Sequence, residues 1–187
     1  MRKIHGGDIY AFDKKMIDFS ANINPLGISK KVISDIKENI FQIVNYPDIE
    51  CKKLRAAISQ KEKVNENFIV CGNGAGELIF NIVSAILPKK VLIISPTFAE
   101  YENACNTIFA EKIYYKLSEQ NQFDVLSDIL DYINKDIDMI FICNPNNPTG
   151  RIIEKNLIID IIKKAKDNNC FDDVICRASC TIWCKCS

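Results

Sequence analysis

Residues 141–150 read FICNPNNPTG, an apolar run that breaks into three asparagines, two prolines and a glycine. An ordinary turn needs only one or two residues with an unusual or preset φ, which Gly, Asn and Pro supply. Here the turn chemistry is overdetermined. The run before it, MIFIC at 139–143, is apolar at every position and reads as a buried strand. Open α/β sheets bind ligands at the carboxyl ends of their strands. A rigid polar segment at such an end therefore predicts a side chain aimed at a ligand.

Outward from this strand, helix and strand alternate. Apolar positions recur at helical spacing in 29–41 (SKKVISDIKENIF), after a serine that can cap, and in 48–61, after Asp48. FIVC at 68–71 reads as a strand entering a glycine turn, followed by a helix over ELIFNIVSAIL at 77–87. VLIISPTF at 91–98 is a second buried strand. Further helices are expected near 99–109, 125–133 and 154–167, with a strand near 112–116. Strand-helix-strand units of this kind predict an α/β fold with a mostly parallel sheet and right-handed crossovers. Residues 1–27 carry turn signals at Gly6-Gly7 and Asn24-Pro25-Leu26-Gly27 and read as an extended arm.

The 187 residues, 48% of them hydrophobic, can supply a core. Lys plus Arg and Asp plus Glu number 24 each, so no global basic field draws in nucleic acid or an anionic membrane. Any anion site must be local. No apolar segment approaches the ~20 residues of a membrane span, and the start, MRKIHGGDIYAF, lacks a signal-peptide core, so a cytoplasmic location is expected. Four cysteines, Cys51, Cys71, Cys105 and Cys143, are scattered and read as reduced core thiols. Five more crowd 170–187, where the composition changes abruptly from Ile/Lys/Asn-rich to Cys-rich.

Three strand ends carry unusual chemistry. The first, CGNGAGE at 71–77, sets glycines where a strand becomes a helix, which leaves backbone N–H groups at the positive end of the helix dipole. It is neither a P-loop nor a dinucleotide fingerprint. It reads as a phosphate cradle or as a tight strand-helix turn. At the second, SPTFAEY at 95–101, Phe98 can stack on a planar ligand or join the core. At the third, Asn147 is placed to face the crevice, while Asn144 or Asn146 can cap the turn.

Taken together, HGGDIYAF, DFSANINPLG, NYPD, GNGAGELI, SPTFAEY and NPNNPTG, in this order and spacing over about 5–169, resemble the fold type I enzymes that use pyridoxal 5′-phosphate. Within them the similarity is to the branch of threonine-phosphate decarboxylases and histidinol-phosphate aminotransferases. HGGDIY with DFSANINPLG points to the decarboxylases of cobalamin biosynthesis. The resemblance implies that backbone amides at Gly74, Ala75 and Gly76 hold the cofactor phosphate, that Phe98 stacks on its ring and that Asn147 bonds its phenolic oxygen. It implies that Tyr46 reaches across a homodimer interface to the neighbour's cofactor phosphate. It also implies that His5 and Asn22 hold a phosphorylated amino-acid substrate, His5 near its phosphate and Asn22 at its carboxylate. The expected reaction is decarboxylation of L-threonine O-3-phosphate to aminopropanol phosphate, with histidinol-phosphate transamination as the alternative.

The resemblance also implies an organisation. Residues 1–45 would be an arm and first helix, part of a small domain; 46–169 the N-terminal part of the cofactor-binding large domain; 170–187 an aberrant tail. The family's acidic partner for the ring nitrogen has no match there, since neither Asp172 nor Asp173 follows a strand-length apolar run. No lysine stands in the cofactor-carrying motif, so the sequence reads as a truncated, inactive fragment, with a frameshift near residue 170. A further reading makes it a non-catalytic or metal-binding module using Cys176, Cys180, Cys184 and Cys186. Their spacing is not the paired Cys-x2-Cys of structural zinc, so no metal is expected.

Overall fold

Successive residues of a strand point to opposite faces of its sheet, and a strand apolar at every position can build two cores at once. A computed structural model of the chain describes residues 6–13, 17–168, 170, 175–177 and 181–183. In chain order its elements are α1 (Lys30–Asn39), α2 (Lys52–Glu62), α3 (Gly74–Ile86), β1 (Lys90–Ser95), α4 (Ala99–Thr107), β2 (Glu111–Lys116), β3 (Met139–Cys143), α5 (Lys155–Asp167), β4 (Ile175–Arg177) and β5 (Thr181–Trp183). The strands form one sheet ordered β2-β1-β3-β4-β5. All pairs are parallel except β4 with β5.

Two units divide the chain, Met1–Lys52 and Lys53–Ser187. In the second, Val91 and Ile93 of β1 join Met139, Phe141 and Cys143 of β3 in a cluster with α3 and α4. Their alternates Leu92, Ile94, Ile140 and Ile142 join a separate cluster with α5 and a 3₁₀ helix, Ser127–Tyr132. This gives the three layers that two-sided strands require. Tyr101 of α4 stacks on Phe141, with ring centroids 4.5 Å apart and planes at 14°, and so ties α4 to the middle of the sheet.

Two polar devices set the sheet's edges. The Asp138 carboxylate accepts the Lys89 and Lys90 N–H groups, both at 2.8 Å, which fixes the start of β1 against β3. On β2 the buried Tyr115 hydroxyl donates to Asp128 Oδ1 at 2.5 Å and accepts the Leu126 N–H at 3.2 Å. Burial first, and the bond to Asp128 second, push this phenol up to about 12.

Three local expectations need correction. FIVC at 68–71 is not a strand: Glu66–Phe68 is a 3₁₀ turn, and 69–71 lie beside no paired neighbour among the described residues. An extended apolar segment becomes a strand only when another chain segment completes its ladder. The segment 125–133 forms the 3₁₀ helix rather than an α-helix, and Ile129 and Ile133 bond back three residues, to Leu126 and Leu130. It is too short to repay the nucleation of an α-helix. Ser29 does precede α1, but its hydroxyl makes no capping bond. Asp48 does cap, accepting the Lys52 N–H at 2.8 Å and the Glu50 N–H at 3.1 Å.

In the first unit, Gly6 and Ser20 explain why two of the motifs occur together. A Cβ on Gly6 would lie 1.8 Å from the Ser20 carbonyl oxygen, so only glycine fits. Gly7 N–H then donates to Ser20 Oγ at 2.8 Å, and the Ser20 hydroxyl and N–H both donate to Asp18 Oδ1. Those bonds, the hydroxyl's above all, hold the Asp18 carboxyl below its ordinary pKa.

Candidate active site

β1 and β3 are neighbours, yet α4, which follows β1, packs on one face, and α5, which follows β3, packs on the other. Chains that leave adjacent strands toward opposite faces open a crevice at the strands' carboxyl ends, where open α/β sheets take ligands. SPTF and NPNNPTG form its two lips. The Ser95–Pro96, Asn144–Pro145 and Asn147–Pro148 peptide bonds are cis.

The three asparagines divide the work. Asn144 Oδ1 accepts the Ile153 N–H at 3.0 Å and shapes the return of its own loop. Asn146 is buried, 8% exposed, and its side chain reaches to the other lip: Nδ2 donates to Pro96 O at 3.0 Å, and Oδ1 accepts from Thr97 Oγ1 at 3.0 Å. Asn147 is exposed, and its amide has no partner among the described residues. Turn chemistry thus accounts for two of the three. The third is available to a ligand.

Phe98, directly after Thr97, takes the core reading of its sequence context. It packs against the α3–α4 cluster and meets Tyr101 edge-on, centroids 5.8 Å apart, yet it stays half-exposed. Ala75 packs against that same cluster, which brings the first turn of α3 and Phe98 onto one face of the sheet. A helix leaves its first N–H groups without intrahelical acceptors. The Gly74 N–H is taken by Gly72 O at 2.9 Å, while those of Ala75 and Gly76 have no acceptor among the described residues. Gly74 holds φ +86, and a Cβ on Gly76 would meet nothing within 4 Å, so the space over this helix end is open. Glu77, which the sequence reading passed over, closes the other side of the turn by accepting the Asn73 N–H.

Asn22 and Tyr46 are exposed residues of the first unit. His5 lies outside the described residues, as do Asp172, Asp173, Cys180, Cys184 and Cys186.

The model of the family described as aminotransferase class I and II matches residues 14–171. The chain belongs to the class I and II aminotransferases. Among the relatives of this chain is a threonine-phosphate decarboxylase from Salmonella typhimurium, 36% identical over 83% of this chain and 43% of that protein. A histidinol-phosphate aminotransferase from Staphylococcus carnosus is 32% identical over 85% of this chain and 45% of that protein. The crystal structure of the histidinol-phosphate aminotransferase from Clostridium acetobutylicum superimposes with a TM-score of 0.74 at 34% identity, covering 87% of this chain and 46% of that one. The chain thus spans less than half the length of the relatives it matches. Class I and II aminotransferases and their decarboxylase relatives are pyridoxal-phosphate enzymes. The family match ends at 171, where the composition turns to cysteine.

Proposed function

We propose that this chain carries the cofactor-gripping part of a pyridoxal-phosphate enzyme that acts on a phosphorylated amino compound, and that the reaction is decarboxylation of L-threonine O-3-phosphate to aminopropanol phosphate. The observation that carries the reading is the pair of joined lips, with an Asn147 amide unpaired among the described residues on one and partly exposed Phe98 on the other. The donor set suits this cofactor. Amides of Ala75 and Gly76 with no acceptor among the described residues, at the positive end of α3, suit a phosphate, Phe98 suits a flat ring, and the Asn147 amide suits a ring hydroxyl whose ionised form it favours.

When bound, the cofactor withdraws electrons from the substrate's α-carbon. What the chain contributes is orientation. Whichever bond at that carbon stands perpendicular to the ring is the one that breaks, so anchoring the substrate decides between loss of carbon dioxide and loss of a proton. By resemblance Asn22 and His5 belong to the anchoring set, and Tyr46 serves a neighbouring cofactor phosphate in a homodimer. The 36% identity to a threonine-phosphate decarboxylase supports the decarboxylase reading. The 34% identity and TM-score of 0.74 to a histidinol-phosphate aminotransferase favour transamination as the second reading.

Calorimetric titration with pyridoxine 5′-phosphate, which lacks the reactive aldehyde, tests the cofactor site. Saturable binding is expected, weakened in Phe98→Ala and Asn147→Ala; a chain that binds none sinks the reading. With ligand bound, O-phospho-L-threonine should raise the unfolding temperature more than histidinol phosphate does. The reverse order would favour the transaminase.

A further inference from the structure

Asn146 is the one buried residue of the polar or charged class among the described residues, and every polar group it owns is engaged. Its N–H donates to Arg151 O at 2.8 Å, and its carbonyl accepts the Gly150 N–H at 2.7 Å. These two bonds close the loop 146–151 at its base. The side chain then divides its bonds: Nδ2 donates to Thr149 Oγ1 at 2.9 Å within the loop and to Pro96 O at 3.0 Å on the other lip, where Thr97 Oγ1 also donates to Oδ1. Asn144, by contrast, bonds only within its own loop. Arg151 adds a tie on the far side, donating to Gln122 O and Gln122 Oε1, both at 2.7 Å, in the segment after β2. The loop that follows β3 is thus tied both to the chain after β1 and to the chain after β2.

We infer that Asn146 is a positioning residue: it locks the lip that bears Asn147 to the lip that bears Phe98, and so sets the ring-hydroxyl donor relative to the ring-stacking face. Asn147 and Pro148 form the exposed tip of a loop whose base is fixed, so the tip's aim follows from the base. A buried, fully satisfied amide suits this task. Its donors and acceptor dictate one orientation, and any other leaves a buried group unpaired. The first turn of α3 shares none of these bonds, so the phosphate amides should not depend on Asn146. The inference rests on the cofactor reading above for its purpose, though not for the lock itself.

The test uses Asn146→Ala, Thr97→Val and Thr97→Ser in the whole chain, with two measurements. Hydrogen–deuterium exchange decides the lock. Asn146→Ala and Thr97→Val should speed exchange over 95–101, some 50 residues from position 146, while 74–78 and Thr97→Ser stay as in the parent. Unchanged exchange over 95–101, or an equal rise everywhere, overturns the lock. The second measurement follows the ring-hydroxyl ionisation of bound pyridoxine 5′-phosphate by ultraviolet absorption against pH. Asn146→Ala and Thr97→Val should move that ionisation up toward the value of the unbound compound and weaken binding by about tenfold. Thr97→Ser, which keeps the hydroxyl, should restore both, and binding of inorganic phosphate should not change. An ionisation that stays in place in Asn146→Ala overturns the positioning role. Should the parent chain bind no pyridoxine phosphate, the cofactor reading and the positioning role fall together, and exchange still decides the lock.

Discussion

The two units place apolar residues at helical spacing with opposite results. In the first, Val32, Ile36, Ile40 and Ile43 recur along α1 and the turn after it, yet no described residue up to Lys52 is buried, and Ile36 is 52% exposed. In the second, α3 buries Ile79 and Val83 completely against the sheet. The difference teaches that periodicity makes a helix, while burial needs a surface to receive it. Within the second unit that surface is a pair of strands apolar on both faces.

The contrast breaks first at the sheet. Phe141→Ala removes a fully buried ring and its Tyr101 partner's stack, and should lower unfolding free energy by about 3–5 kcal/mol in denaturant titration. A loss no larger than that of a surface substitution would show that the two-sided core does not hold the unit together. Next, Asp138→Ala leaves the Lys89 and Lys90 N–H groups without their acceptor and should cost about 1–2 kcal/mol, read by the same titration.

Tyr115 sharpens the comparison through pH. Its phenol is raised to about 12 in the folded state, against about 10 for an unfolded tyrosine. Folding therefore favours the protonated form. Its contribution is fully present below about pH 10 and is lost as pH rises from about 10 to about 12. Stability curves of the parent chain and Tyr115→Phe should differ by a constant below that window and converge through it; parallel curves at every pH would remove the shift. The smallest effect is expected in the first unit, where Ile36→Ala should change stability by less than about 0.5 kcal/mol. A large loss there would mean that α1 is covered in solution.

Much of this was legible from residue order. The alternating burial of 91–94 and 139–143 follows from runs apolar at every position, and α1, α3, α4 and α5 lie close to where apolar spacing predicts them. The strand expected at 68–71 was not legible, because a strand exists only in its pairing. At 125–133 a helical apolar pattern could not foretell that too few residues would join the turn.

Local chemistry by itself determined that NPNNPTG is a polar strand exit with more turn-forming residues than one turn needs. Which asparagine does what was decided only by tertiary structure. Asn146 differs from Asn147 through bonds to Pro96 and Thr97, about 50 residues earlier in the chain, and partners so distant in sequence become neighbours only when parallel strands bring their exits side by side.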